Sequence, residues 1–340
     1  MSSTNLPLSV TTRAGTNIAL VKYWGKRDPS LNLPATGSLS LTLADLGSET
    51  TVRFAGDAGG PGGGDRITAD GVPASPPFAE RVRRFLDLVR QQARLALPAE
   101  VATRNSVPTA AGLASSASGF AALALAASRA AGMNLAPPEL SVLARQGSGS
   151  AARSIFGGFV EMSAGERPDG SDACAKALQP AAAWDVRLVV AMAAEGPKPI
   201  GSSEAMELTA RTSPYYPGWL QAVPQDLAAA RAAVLAKDLA GLGRVAERSA
   251  TRMHACAMAA DPPVLYWNCV TLAAMETVRR LRDAGTQAFF TIDAGPHVKV
   301  LCATCDAEVV EPALAATPGV LRTLVLAPGP GAEVLREVHR

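Results

Sequence analysis

Aromatic residues make up only 5% of this 340-residue chain, and charged residues only 18%. With 32 Lys and Arg against 30 Asp and Glu, the net charge is +2 and neither sign dominates. A nucleic-acid surface needs a concentrated basic face, so no nucleic-acid partner is expected. Long apolar runs are missing too. The most apolar windows, such as 120–127, stop at Ser128 and Arg129. They are too short to span a bilayer, and no membrane partner is expected. The opening MSSTNLPLSV has neither the basic start nor the apolar stretch of a signal peptide. Five cysteines, odd in number and scattered, give no disulfide framework. Together these absences predict a cytoplasmic chain in a reducing compartment. Cys302 and Cys305 form a single C-x-x-C inside the apolar HVKVLCATC. With no second pair nearby, a buried strand is favoured there over a metal or redox site.

What is present is small and apolar. Hydrophobic residues reach 48%, with 30 glycines and 25 prolines. A chain this long suits two domains better than one core. Residues 8–54 read as extended, with clear alternation in SLSLTLADLGSETTVRF. AGDAGGPGGGD (55–65) is a surface loop whose glycines lack phosphate-loop spacing. From Pro77 the helical period places Phe78, Val82, Phe85, Leu86 and Val89 on one side. EVATRNSV is a strand, a helix spans about 137–147, and GSGSAARSIFGGFVEMS holds a loop, a short helix and a strand. WDVRLVVAMAA is a buried strand, followed by mostly helix to about 283. AFFTIDA and HVKVLCA pair, a helix covers about 306–316, and RTLVLAPG closes the series. Uneven alternation of strands and helices predicts an α+β fold. The domains are expected at 1–190 and 191–340.

SVPTAAGLASSASGFAALALAAS (106–128) sets proline, glycine and serines directly before an apolar small-residue run. Two readings stand. One is a turn entering a buried helix. The other is a helix N-terminus open to an anion, where unpaired N–H groups and the helix dipole favour negative charge. Gly112 permits close approach, Ser115 and Ser116 offer hydroxyls, and Ala114 and Ala117 keep the entry open. It is no Walker loop: Gly25-Lys26 lacks both the upstream glycine and the following Ser or Thr. GSGSAA lacks the third glycine of a dinucleotide fingerprint.

Pro108-x-x-x-Gly112-Leu113-x-Ser115-Ser116 resembles the phosphate-binding motif of the GHMP kinase superfamily. NIALVKYWGKRDPSLNLPATGSLSLTL (17–43) resembles the N-terminal signature of the diphosphomevalonate decarboxylase family. SGSAARSIFGGFVE (148–161) resembles that family's substrate loop, and TIDAGPHVKVL (291–301) its catalytic-aspartate strand. MELTARTSPYYPGW falls in the expected register, so the likeness covers nearly the whole chain. It implies the GHMP kinase architecture. An N-terminal domain like ribosomal protein S5 domain 2 would meet a ferredoxin-like C-terminal domain at a cleft. The family members are commonly homodimers.

The resemblance implies ATP- and magnesium-dependent conversion of 5-diphosphomevalonate to isopentenyl diphosphate, ADP, phosphate and carbon dioxide, a step of the mevalonate pathway of isoprenoid biosynthesis. A tertiary hydroxyl leaves poorly, so it is phosphorylated before carbon dioxide departs. Asp293 would orient that hydroxyl and accept its proton; the other reading of D-A-G-P is a simple turn. His297 is a rival base by residue type, standing where the family has Asn. Arg153 would grip the substrate carboxylate through paired hydrogen bonds. It closes a loop of Ser148, Gly149, Ser150, Ala151 and Ala152. Tyr23, Trp24, Gly25 and Lys26 match the substrate-contacting run, with Trp24 read chiefly as packing. Lys26 would neutralise charge between Asp293 and the phosphoryl group, or sit on substrate. Lys22 and Arg27 read as solvated charges, and His254 and His339 as structural or solvent-facing. Arg81 matches a diphosphate-binding arginine, with Arg83 and Arg84 as competitors. Ser202 and Ser203 suit phosphate. Glu204 stands where the family has Thr or Arg, and a carboxylate there repels a diphosphate unless a cation intervenes. A phosphomevalonate decarboxylase, a mevalonate 3-kinase-like relative and a catalytically silent nucleotide binder are the alternatives. The metal ligands are not read from the sequence.

Overall fold

The computed structural model describes residues 7–57, 64–106, 115–196 and 198–339. Its first sheet is built on two long antiparallel strands, β1 (Ser9–Val21) and β4 (Ser38–Phe54). Between them lies the short hairpin β2 (Lys26–Asp28) and β3 (Leu33–Pro34). Beyond β4 follow β5 (Arg66–Ala69), β6 (Val72–Pro73) and β7 (Ala99–Asn105), in the order β4-β7-β5-β6. The pairing of β5 with β7 is parallel. The first half of β4 pairs instead with β8 (Phe159–Met162), which pairs with β9 (Ala175–Gln179).

A register shift between Gly15 and Asn17 divides β1 in two. Before it, Val10 and Ala14 face a core with α1 (Pro76–Ala93), α2 (Ser115–Ala130) and α3 (Pro137–Gly147). After it, Ile18 and Leu20 face the opposite core, as Leu39, Leu41 and Leu43 of β4 do. A bulge that turns the strand lets one chain segment serve two cores. On α1 the buried side is Ala79, Val82, Phe85, Leu86 and Val89, with the neighbouring Phe78 partly buried against them.

The second sheet is antiparallel throughout. Its order is β11 (Ala288–Ile292), β12 (Val298–Ala303), β10 (Val186–Met192), β13 (Arg322–Leu326). Alternation along β10 sends Val186, Leu188 and Val190 to the core shared with the first sheet. Val189 and Ala191 face α8 (Cys269–Asp283) and α9 (Ala307–Ala315). The shared core also takes residues from α5 (Ser202–Thr212), α6 (Tyr216–Ala236) and α7 (Leu239–Met258). Burying each large side chain here contributes about 1.5–3 kcal/mol, so this core fixes the two sheets on one another.

Four strands were not read from the sequence: the short β5, β6 and β9, and one at the chain's far end. β14 (Glu333–Val338), in the stretch expected in the second domain, runs antiparallel to β1 and forms the edge of the first sheet. Its pattern of exposed charges interrupted by Val334 and Leu335 hides it from a search for apolar alternation. Cys302 is buried in β12 and Cys305 is exposed beyond it. Among the described residues no helix is long and apolar enough to cross a membrane.

Candidate active site

β11 ends at Ile292, and the chain turns sharply, with the Gly295 N–H donating to Asp293 O at 2.7 Å. Asp293 is thus a turn residue, as its sequence allows, and its carboxylate is held as well. Lys22 Nζ donates to Oδ1 at 2.6 Å and Lys299 Nζ lies 3.2 Å from Oδ2. Lys22 follows the last residue of β1, so it enters the second unit from the first sheet. Lys299 stands opposite Thr291 in the β11–β12 ladder. Both lysines are buried, while the Asp293 side chain keeps 29% of its surface open. The open carboxylate edge is where a ligand can reach it.

Burial alone would raise the Asp293 pKa, yet the two ammonium groups hold it well below the usual carboxylate range. For Lys22 burial prevails over its partner, lowering the pKa to about 8 against the attraction of Asp293. Lys22 was read as a solvated charge; it is instead 1% exposed, and also donates to Ala19 O at 2.8 Å. Lys198 lies on the same side, donating to Ser202 Oγ at 2.6 Å and Ala294 O at 3.2 Å. Burial lowers its pKa while Asp293 raises it.

Arg153 sits in the one-turn helix α4 (Ala151–Ser154), buried to 2% exposure. Its Nε and Nη2 donate to Asn17 Oδ1 at 3.2 and 3.0 Å, and Nη1 donates to Ser38 Oγ at 2.8 Å. Asn17 in turn donates to Ser150 O and Ser154 Oγ, so loop, helix and β1 form one unit. A guanidinium has five N–H donors. Three are used, leaving one on each terminal nitrogen for a carboxylate. Burial lowers the Arg153 pKa to about 10, still far above neutrality.

Tyr23 crosses the 148–150 loop. Its ring centroid is 6.0 Å from the Arg153 guanidinium, and its hydroxyl would collide with any Cβ at Gly149. Burial raises its pKa to about 12, and the hydroxyl has no partner among the described residues. Gly25 has φ +104°, and a side chain there would strike the Tyr216 hydroxyl. Ala151 and Ala152 are fully buried. Ser148 Oγ and Ser150 Oγ are 3.4 Å apart at the loop mouth.

The lysines in contact with the Asp293 carboxylate are Lys22 and Lys299, not Lys26. Lys26 Nζ donates to Ser203 Oγ at 3.3 Å. Burial lowers its pKa, the Glu207 charge raises it and Arg81 lowers it, so these groups share one end of the cleft. Arg81 stands over the Phe120 ring at 4.9 Å and donates to Gly147 O at 3.4 Å. Its competitors Arg83 and Arg84 lie instead beside Glu80, at 3.7 and 3.9 Å. Glu204 is exposed on the first turn of α5 and its charge acts on Tyr266; Glu207 is the carboxylate acting on Lys26. Trp24 is 2% exposed in the shared core, with its carbonyl accepting from Trp219 Nε1, so it packs and does not line the cleft.

Ser115 opens α2, and Ser116 is exposed on its first turn above an otherwise buried helix. Pro108, Gly112 and Leu113 lie outside the described residues. His297 is buried, its Nδ1 accepting from the Ala193 N–H at 3.1 Å. His254, read as structural or solvent-facing, is buried with Nε2 3.1 Å from Asp293 O. Three lysines at the aspartate thus escaped assignment from sequence. Two carried a signal: Lys22 in NIALVKYW and Lys299 in HVKVLC are each a single charge inside an apolar run.

Residues 14–175 match the family model described as diphosphomevalonate decarboxylase-like N-terminal domain. Residues 188–317 match that of the mevalonate 5-diphosphate decarboxylase C-terminal domain. The chain is similar to diphosphomevalonate decarboxylase of Aspergillus fumigatus, 37% identical over 88% of this chain and 78% of that protein. The human enzyme is 33% identical over 92% of this chain and 80% of that protein. Among solved structures, mevalonate diphosphate decarboxylase from Staphylococcus aureus superposes with TM-score 0.91 at 37% identity, covering 96% of this chain and 98% of that one. A complex of MDDEF with MVAPP, AMPPCP and magnesium superposes with TM-score 0.89 at 41% identity, covering 97% and 99%.

Proposed function

This chain belongs to the diphosphomevalonate decarboxylase family, and from that we propose how its cleft divides the work of the reaction. It has the GHMP kinase fold and decarboxylates 5-diphosphomevalonate with ATP and magnesium in the mevalonate pathway. The observation that carries the division is Asp293, held between Lys22 and Lys299 with one edge open.

Asp293 stays anionic at neutral pH because two ammonium groups face it. It accepts a hydrogen bond from the tertiary hydroxyl and aligns that oxygen with the γ-phosphorus of ATP. The same ammonium groups make it a weak base. It therefore takes the proton late, once the oxygen–phosphorus bond is forming and the hydroxyl has become acidic. The Pγ–O bond to ADP breaks as the new bond closes. Phosphate then leaves C3 with the C–O electrons, carbon dioxide departs, and the C–C electron pair becomes the double bond. Lys22 and Lys198 supply positive charge where negative charge gathers. Arg153 holds the carboxylate through its two remaining donors, fixing the bond that breaks.

At the other end, Lys26, Arg81, Ser203 and the Ser148–Ser150 mouth receive the diphosphate. Ser116, with Ser115, Pro108, Gly112 and Leu113, receives the ATP phosphates. Magnesium, when bound, neutralises phosphate charge and polarises the γ-phosphorus. Among the described residues no group of three His, Cys, Asp or Glu side chains converges, and Asp293 is already engaged by two lysines. The ion would be held on the ATP phosphates, with the exposed Ser116 at the helix start offering a hydroxyl oxygen.

The units divide near residue 185, ahead of β10 and not through it at 190, the enzyme works as a homodimer, and its compartment is the cytoplasm. The family resemblance supports the first two, and five unpaired cysteines the third. The test is product analysis with ATP and mevalonate, its 5-phosphate or its 5-diphosphate. ADP and carbon dioxide should appear in equal amounts, best with the diphosphate. ADP without carbon dioxide would make this a kinase; a preference for the monophosphate would reassign the substrate.

A further inference from the structure

α7 touches the backbone of both members of the central ion pair. The Lys22 N–H donates to Ser249 Oγ at 3.0 Å, and Ser249 is fully buried. Five residues along the helix, His254 Nε2 is 3.1 Å from Asp293 O. A carbonyl only accepts, so this ring donates from Nε2, and burial keeps it neutral by lowering its pKa to about 3. Trp267 and Tyr266 flank the ring at 4.9 and 6.1 Å and fix its plane.

The same helix grips β11 upstream. Glu247 Oε1 accepts from the Phe290 N–H at 3.0 Å and from Arg282 Nη1 at 2.7 Å. Gly243 lets the helix approach so closely that a Cβ there would strike the Phe289 ring. Lys22 and Asp293 themselves lie just past the ends of β1 and β11, where neither strand's ladder holds them. They are 271 residues apart in the chain. Their backbones share one rigid neighbour, and Ser249 and His254 stand about 7.5 Å apart along its axis.

We propose that Ser249 and His254 are positioning residues for the reaction: α7 acts as a gauge that sets the separation of Lys22 and Asp293 by holding both backbones. This rests on the reading of Asp293 given above. Phosphoryl transfer is carried mainly by alignment, so a shift of about 1 Å costs on the order of 10²-fold in turnover. Loss of either contact leaves the diphosphate and ATP sites untouched. The effect therefore falls on kcat and spares KM.

The variants are His254→Phe, which keeps a ring without a donor, His254→Gln, which restores a donor, and Ser249→Ala. Turnover and KM for both substrates are measured beside thermal stability, with Asp293→Asn alongside. His254→Phe should lose about 10–100-fold in kcat with both KM values within about twofold. His254→Gln should recover to within about threefold of the native enzyme, and Ser249→Ala should lose about 3–10-fold. The Ser249→Ala, His254→Phe pair should cost less than the product of the singles, because both act through one ion pair. Wild-type turnover in His254→Phe, or equal impairment of Phe and Gln variants in step with lost stability, would overturn the gauge. If His254→Phe does not fold, an unchanged kcat in Ser249→Ala overturns it alone. Inactive Asp293→Asn beside normal His254→Phe removes only the gauge. An active Asp293→Asn removes the reading of Asp293 and the gauge with it.

Discussion

The two ends of the cleft are built differently. At Asp293 the charged groups are already paired: Lys22 and Lys299 hold the carboxylate, and their own side chains are buried. At Lys26 the charges have no carboxylate in direct contact among the described residues; Lys26 and Arg81 rest on a serine hydroxyl and a backbone carbonyl. On the proposed division of the cleft, one end is finished before substrate arrives and the other is completed by it. Electrostatic preorganisation acts where charge develops in the transition state, while an open cationic end gains its partner on binding. Substitutions at the first end should therefore change turnover, and those at the second should change affinity.

The strongest way to break this contrast is Asp293→Asn, which should cost about 10²–10⁴-fold in kcat with little change in KM. A steady-state assay following ADP and carbon dioxide reads it directly, and a loss confined to KM would abolish the distinction. Ser116→Glu comes next. It places a negative charge where a helix start would meet ATP phosphates, and should weaken ATP binding by at least about 10²-fold. Calorimetry with ATP measures it, and unchanged affinity would leave the start of α2 as a turn into a buried helix.

A smaller effect separates Lys22 from its neighbours through pH. Its pKa in the folded chain is about 8, below the 10.4 or so of a free lysine. The proposed mechanism needs it protonated, so kcat should fall as pH rises through about 8. Stability moves the opposite way. Between about pH 8 and 10.4 the unfolded chain binds the extra proton, so this group's contribution to stability rises with pH across that window. Lys22→Arg should carry the falling limb of kcat to higher pH; an unmoved limb would assign it elsewhere. The smallest effects belong to the open end. Glu204→Arg should lower KM for the diphosphate about two- to threefold with kcat unchanged, whereas Glu207→Gln, nearer Lys26, should lower it more. Reversed ranking would place Glu204 at the diphosphate.

Much of this site was legible because its pieces are contiguous. SGSAAR carries its own loop, and the motif names Arg153 without help from the fold. TIDAGPH likewise announces Asp293 between an apolar strand and a turn. What escaped is what long-range contact creates. Lys22 was named but read as solvated, because nothing within the NIALVKYW segment reveals a carboxylate 271 residues away. Lys198 was passed over just ahead of Ser202 and Ser203, and His254 lies in a stretch with no motif of its own; the meaning of both comes from the turn at Asp293. The Glu204 reading rested on alignment in sequence, while the helical turn of α5 brings Glu207 toward Lys26. In the fold, the strands with clear alternation and the α1 face were predictable from period alone. The edge strand β14 was not, since an edge carries exposed charges on both sides.

β14 also bears on how the chain is made. β1 ends at Val21 and its neighbour begins at Glu333, so nearly the entire polypeptide must leave the ribosome before that edge can be covered. Until then β1 presents a row of unsatisfied backbone groups, a template on which another nascent chain can add. Closing so long a loop is entropically slow as well. Removing residues 329–340 from the otherwise whole chain should therefore raise aggregation during refolding, and supplying them as a separate peptide should lower it again.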